Sequence, residues 1–440
     1  MRLAVPYLLN LVYLLLLLLA APWLVAAAIR KGKYREGYAE KLLGHVPIRG
    51  GSKPCVWLHA VSVGEVNLLR PLVARLVERR PDIECVVSTT TATGYALAKT
   101  CYPESAVFYC PLDFSWAVRN AMQRIRPDLL VLAELELWPN LIRTARRRGT
   151  RVIVVNGRMG EKSFRGYRKI RPLMTRLLPQ IDCIAAQDAR IADRFATLGM
   201  PHSRTTVTGS LKYDGAETSR ENRATVELRT LAQFDPLDRI LLAGSTQAPE
   251  ESLALSTFQA LRHDYPQLRL VLVPRHPDRF DEVARMLTDA REPFVRRSQL
   301  DQRTPDLPPR ILLVDVVGEL AAWWGTAHIA YVGGSLSQRG GQNMIEPAAY
   351  GAAVAFGPNT WNFRDIVQAM LAAEAAVVVH DGAQLTAFVR RCLADPPFSQ
   401  QLGQRAQRLV ESQIGATERT VDIIESLLDT SRSDQTKLPR

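Results

Sequence analysis

Gly333, Gly334 and Ser335 end an apolar, strand-like run, and Gln342, Asn343, Met344, Ile345, Glu346 and Pro347 open a helix-like one. Glycines at such a junction let backbone N–H groups approach a phosphate, and the helix N-terminus beyond them carries partial positive charge. Asn343 and Glu346 fall three apart at that helix start, so both can point at one ligand. The carboxylate suits ribose hydroxyls rather than phosphate. The segment reads as a nucleotide-sugar site.

Other reactive side chains sit where apolar runs end. Glu65 follows Gly64 at the start of a helical stretch over residues 66–79, where the helix dipole favours the ionised carboxylate. A carboxylate aimed in this way can take the proton of a sugar hydroxyl as general base; the plain alternative is an ordinary first-turn acid. Glu134 and Glu136 leave a second apolar run beside Trp138, and alternation along an extended backbone turns both to one side. A retaining glycosidase pair competes for that spacing, but hydrolases do not require a nucleotide site. Lys212 lies in the loop over residues 208–214. Arg275 and His276 leave another strand-like run, residues 244–246 (Gly-Ser-Thr) leave the one before it, and Gly318 and Glu319 close a third. Arginine, histidine and small hydroxyl groups at strand ends suit phosphate.

These residues need a frame to bring them together. Residues 55–59, 83–88, 106–109, 129–133, 151–155, 183–186 and 205–207 read as strands, and most gaps between them are long enough for crossover helices. That is a doubly wound α/β domain, placed over residues 31–220. Phe234, Asp235 and Pro236 mark a break within a linker over 221–238. A second series, 239–243, 269–273, 310–314, 329–332 and 353–356, makes another Rossmann-like half over 239–404. A helical pattern covers 405–428, and the polar residues 429–440 read as a disordered tail. In such sheets ligands collect beyond the carboxyl ends of the strands.

A chain of 440 residues is too long for one core, and an apolar share of 47% is ample for two. The formal charge of +12 calls for an anionic partner, and nucleic acid, phospholipid headgroups and phosphorylated substrates all qualify. Six cysteines show no metal-ligand or CxxC spacing, which argues for a reducing compartment and thiols used as apolar filler. No HxxxH or HExxH pattern points to a catalytic zinc. Residues 3–29 carry no charge and are numerous enough to cross the roughly 30 Å hydrocarbon layer. Arg2 alone precedes them, whereas Arg30, Lys31, Lys33 and Arg35 follow, so the positive-inside rule leaves the rest of the chain in the cytoplasm. A cleaved signal peptide is the rival, given the small residues Ala26, Ala27 and Ala28, but the apolar run exceeds the usual h-region of about 7–15 residues.

The chain resembles the 3-deoxy-D-manno-octulosonic acid (Kdo) transferases of lipopolysaccharide synthesis. The likeness runs from the apolar N-terminus to about Ser426 and is carried by residues 59–66, 134–140, 156–158, 186–188, 206–214, 273–277, 318–320 and 333–347. It implies an α/β protein of GT-B fold, two Rossmann-like domains facing a cleft, preceded by one N-terminal transmembrane helix (residues 1–30). It implies an inverting glycosyltransferase that moves Kdo from CMP-Kdo to a lipid A precursor, lipid IVA. The setting implied is the bacterial inner membrane, with a single-pass anchor and the catalytic domains on the cytoplasmic side. Position by position, Glu65 corresponds to the general base, and Glu136 and Lys212 to transition-state stabilisers. Arg275, His276, Val317, Gly318, Glu319, Asn343, Met344, Ile345 and Glu346 correspond to CMP contacts. No metal or other cofactor is implied, and the partners are CMP-Kdo, the lipid A precursor and membrane phospholipid, with no nucleic acid. Two positions depart from the family pattern: Gln342 stands where a histidine is common, and Leu135 where threonine is more usual. Gln342 can keep a hydrogen bond but cannot titrate.

The resemblance also implies that residues 405–428 pack back toward the first domain; a hinge is expected to close over the donor, because the cleft must exclude water that would hydrolyse it. Arg30 to Arg35 and Lys41 would dock an anionic leaflet at about 1 kcal/mol per basic residue. Arg143, Arg146, Arg147, Arg148, Arg151, Arg158, Arg165, Arg168, Lys169 and Arg171 would extend that face. A transferase using another nucleotide sugar, an epimerase of the same fold and a non-catalytic membrane scaffold are the rival readings.

Overall fold

Short apolar runs joined by amphipathic helices fold as parallel strands buried on both faces, because each returning helix covers one side of the sheet. In the computed structural model, which describes residues 4–31, 36–300 and 310–436, the chain divides into two such units. One comprises Met1–Asp214 with Gln413–Arg440, the other Gly215–Ser412.

The first unit contains β1 (Cys55–His59), β2 (Glu84–Thr89), β3 (Ala106–Tyr109), β4 (Leu129–Ala133), β5 (Arg151–Gly157), β6 (Cys183–Ala186) and β7 (Thr205–Val207). Their order is β3-β2-β1-β4-β5-β6-β7, with all pairings parallel. The two-residue period sorts the core. Trp57, Leu130 and Val152 enter one apolar layer with Phe108, while Val56, Leu58, Val131 and Ile153 enter the opposite one with Leu69 and Leu72. Connections run outward in both directions from the β1/β4 pair, so the switch point lies between those strands, where ligands collect.

The second unit contains β8 (Arg239–Thr246), β9 (Leu268–Pro274), β10 (Val295–Arg296), β11 (Ile311–Leu313), β12 (Ile329–Val332), β13 (Ala353–Phe356) and β14 (Val377–Val378). Their order is β10-β11-β9-β8-β12-β13-β14, again parallel, with the switch point between β8 and β12. The edge strands β10 and β14, two residues each, are too short to show a period and escape a sequence reading.

Three boundaries differ from expectation. The stretch 221–238 is no linker: it contains the helix Arg223–Leu231, capped by Asn222, whose side chain accepts from the Thr225 amide at 2.9 Å. Thr225 in turn donates to the carbonyl of Ala322 (3.1 Å), and Arg220 donates to the carbonyls of Tyr350, Gly325 and Ala327, so this polar stretch belongs to the second unit. Residues 405–428 are not one helix. Pro396–Glu411 ends in the second unit, Gly415 adopts φ +88°, and Ala416–Thr436 begins in the first. The tail expected to be disordered from residue 429 is helical through Thr436, because Asp429 still pairs with Arg80 (3.2 Å) and the helix propagates from its packed part; residues 437–440 lie outside the described residues.

The N-terminal helix spans Ala4–Lys31, and its Pro6–Trp23 stretch, of mean hydropathy 1.8, is the one span among the described residues long and apolar enough to cross a membrane. Its polar residues meet the body of the first unit. Asn10 is buried, donates to the Ser115 hydroxyl (2.7 Å) and accepts from the Ser115 amide (2.9 Å), and Tyr13 donates to Asp113 (3.1 Å). Arg2, Lys33 and Arg35 lie outside the described residues.

Candidate active site

Glu65 stands in the first turn of the helix Val63–Arg79, directly after β1. Its carboxylate bends back over the helix entrance, accepting from the Val61 amide (2.6 Å) and the Ser62 hydroxyl (3.3 Å). The carboxylate of this first-turn acid thus binds the chain just ahead of its helix. Burial pushes its carboxyl up to about 7, opposed by the Val61 hydrogen bond and reinforced by the negative charges of Glu136 and Glu134. A group poised near neutrality at a switch point suits general-base work. A Cβ at Gly64 would meet only the Ser62 hydroxyl, at 3.8 Å, so the approach is open.

The paired glutamates do not share one extended face. Glu134, immediately after β4, takes a left-handed backbone (φ +53°), and the chain turns, with the Glu136 amide donating to the Ala133 carbonyl. A non-glycine residue at positive φ after a strand is the kind of local strain that clusters at functional sites. The turn sends the two carboxylates to different partners. Glu134 binds Arg158 (2.6 Å) and Lys212 (3.3 Å), whereas Glu136 accepts from the Trp138 indole (2.9 Å). Lys212, which the resemblance assigns with Glu136 to transition-state stabilisation, is held by Glu134. Burial also raises the Glu136 carboxyl, with the Trp138 hydrogen bond opposing it.

Two further side chains fix this arrangement. Asn156, at the end of β5 and also at φ +53°, accepts from the Leu211 amide (3.0 Å) and so places the loop that carries Lys212. Asp113 accepts from the amides of Asn140 and Leu141 (2.9 and 2.8 Å), seating the helix Pro139–Arg147 that follows Trp138. Burial raises the Asp113 carboxyl to about 6 against those two bonds. His59 ends β1 fully buried, its Nδ1 within 3.0 Å of the Ser88 hydroxyl, and burial lowers its imidazole to about 4, which keeps it neutral.

In the second unit the expected nucleotide contacts fall at the carboxyl ends of the strands. Arg275 and His276 follow β9 and are exposed; Val317 and Gly318 (φ +97°) are exposed in the loop after β11. Glu319 is engaged by a bidentate pair with Arg297 (2.8 and 2.9 Å) and accepts from the Trp323 indole, so its carboxylate is already held in place. Asn343 and Glu346 do come together, by bonding each other (3.0 Å), while Asn343 Oδ1 accepts from the Ile345 amide. Burial raises the Glu346 carboxyl; the Asn343 bond and the Arg275 charge oppose it. Met344 and Ile345 are buried, so their side chains serve the core and only their backbone can face a ligand.

Two expectations require correction. The amides of Gly334 and Ser335, read as phosphate ligands, both donate to the buried carboxylate of Glu250 (2.7 and 3.0 Å). A sequence signal for this was absent, because Glu250 looks like any first-turn helix acid. The arginine strip on the first unit is partly neutralised: Arg146 and Arg151 bind Asp182, Arg158 binds Glu134, and Arg165 binds Glu161.

Residues 35–215 match the family described as 3-deoxy-D-manno-octulosonic-acid transferase (kdotransferase). The chain is similar to the 3-deoxy-D-manno-octulosonic acid transferase of Haemophilus influenzae, at 32% identity over 95% of this chain and 98% of that one. It is 33% identical to the enzyme of that name from Bordetella pertussis, over 92% and 95% of the two chains. Among solved structures, UDP-GlcNAc 2-epimerase from Neisseria meningitidis superposes with a TM-score of 0.54 at 12% identity, over 84% of this chain and 100% of that chain, a likeness of fold alone.

Proposed function

Because this chain belongs to the Kdo transferase family, we propose that it moves Kdo from CMP-Kdo to a hydroxyl of the lipid A precursor lipid IVA, inverting the anomeric carbon. The observation that carries the assignment of roles is Glu65: a partly buried carboxylate at the switch point of the first sheet, raised to about 7.

In this reading the Glu65 carboxylate takes the proton of the acceptor hydroxyl as its oxygen bonds to the anomeric carbon. The bond from that carbon to the phosphate oxygen breaks, and CMP departs with the electron pair. Positive charge builds on the sugar ring as the bond stretches, and preorganised negative charge stabilises it. The Glu134 carboxylate, held in place by Lys212 and Arg158, is the group we assign to that task. Glu136 then acts at one remove, since its charge helps keep Glu65 basic. In the second unit, Arg275 and His276 are the groups for the phosphate, with Asn343, Glu346 and the 317–319 loop for the nucleoside. The apolar N-terminal helix, with the basic residues after it on the cytoplasmic side, keeps the enzyme at the leaflet that holds the acceptor.

Incubating the purified protein with CMP-Kdo and lipid IVA and weighing the product by mass spectrometry tests this directly. A gain of one or more Kdo units is expected. No gain, or tighter binding of UDP than of CMP, would count for a transferase of another nucleotide sugar.

A further inference from the structure

Glu250 opens the helix Glu250–Leu261 after β8, on one side of the second sheet's switch point, and the turn Gly333 to Leu336 follows β12 on the other. The Glu250 side chain is completely buried. Its Oε1 accepts from the Tyr331 hydroxyl (3.0 Å) and the amides of Ser335 (3.0 Å) and Leu336 (2.9 Å). Its Oε2 accepts from the amides of Gly334 (2.7 Å) and Gln247 (2.9 Å). Successive backbone N–H groups facing one point form the kind of concavity that elsewhere holds a bound anion. Here the anion is part of the chain.

We propose that Glu250 is a positioning residue for the donor site: an internal anion that fills the amide nest of the glycine turn, fixes that turn, and denies its N–H groups to the donor's phosphate. The proposal rests on the donor role given above to Asn343 and Glu346. The link to them is short, since the Gly334 carbonyl accepts from the Gly341 amide (2.8 Å), two residues before Asn343. The turn is also tied to the next strand, for the Ser335 hydroxyl accepts from the Gly357 amide (2.8 Å) and its carbonyl from the Asn359 amide (2.9 Å). No side chain fits at Gly333, where a Cβ would lie 2.6 Å from the Thr246 Cα and 2.8 Å from Glu250 Oε2. Specificity follows from the filled nest. A diphosphate seeking backbone donors at this turn finds them taken, whereas a single phosphate can be met by a side-chain cation such as Arg275.

Glutamine at position 250 separates this role from mere space-filling. It has the same shape, but its NH2 must face either the Gln247 and Gly334 amides or the other three donors, so donor meets donor in both orientations. Glu250→Gln is expected to raise the Kd for CMP and the KM for the donor roughly 10-fold or more, with a smaller effect on kcat. Glu250→Ala leaves an empty nest that formate can enter. Sodium formate should raise the thermal midpoint of this variant beyond its response to sodium chloride, restore CMP binding, and leave the wild type unmoved. Wild-type CMP affinity in Glu250→Gln, or a formate response in Glu250→Ala no larger than the wild type's, would overturn the proposal. If neither variant folds with formate present, Glu250 serves folding alone and the positioning role falls. Failure of the wild type to bind CMP would sink the donor assignment instead, while the formate response, read without nucleotide, still judges the nest.

Discussion

Glu65 shows how much one residue's surroundings add to its type. With its carboxyl pushed up to about 7, the general-base role proposed for Glu65 requires the acidic limb of the kcat/KM profile to fall as pH drops through about 7. Glu65→Gln should lower kcat by roughly 10²–10⁴ while the circular dichroism spectrum is kept. Stability should move the other way. The folded-state value lies above the ordinary 4.5, so the wild type loses the Glu65 contribution to stability as pH rises from 4.5 through 7, a loss the glutamine variant is spared, while Asp113 and the other raised carboxyls act alike in both. Above pH 7 the variant should therefore melt higher than the wild type, and at pH 4 the two should coincide. A second residue-scale test concerns Glu134 and Lys212. If they act as a pair, the double variant Glu134→Gln/Lys212→Met should be no slower than the worse single one, a coupling of roughly 1–3 kcal/mol in kcat/KM. Strictly additive losses would show that Glu134 and Lys212 do not act as a pair.

At the scale of elements, caps decide where helices sit. Asp214 accepts from the amides of Gly415 and Thr417, the first turn of the helix Ala416–Thr436, which then lays Val421, Ile424 and Leu428 in the same apolar layer as Leu69 and Leu76. Asp214→Ala should cost about 1–2 kcal/mol in urea unfolding, the worth of a good cap, and should expose the C-terminal helix to faster hydrogen exchange. Such elements were largely legible in the chain. The runs that became β1, β3, β4, β6, β7, β12 and β13 match their observed limits; for β1, β4, β6, β12 and β13 the reason is that strands buried on both faces need apolar residues in nearly unbroken series. Segment 221–238 was not legible, since its polar composition conceals the fact that Thr225, with Arg220 just ahead of the segment, donates to backbone carbonyls of the second unit.

At the scale of the whole molecule, the proposed membrane attachment has two separable sources. The exposed face of the N-terminal helix carries Tyr7, Leu8, Leu11, Leu15, Leu18, Leu19 and Trp23, an apolar surface insensitive to salt. The formal charge of +12 adds attraction that salt screens. Full-length protein should float with anionic vesicles at both low and high salt, whereas protein lacking residues 1–30 should float at low salt only. Equal flotation of the two forms at high salt would remove the helix as the anchor.

The amino-acid sequence by itself determined the apolar N-terminal span, the two α/β series, the helix start at Glu65, the loops at which Lys212 and Asn343 stand, and the family. All of these depend on composition, period and motif along a short stretch of chain. Only the tertiary structure decided which carboxylate meets Lys212 and which anion occupies the glycine turn. Those partnerships join residues 78 and 84 positions apart, and each turns on a backbone detail, the left-handed Glu134 in one case and the converging amides at the β8/β12 switch point in the other, that no local pattern encodes.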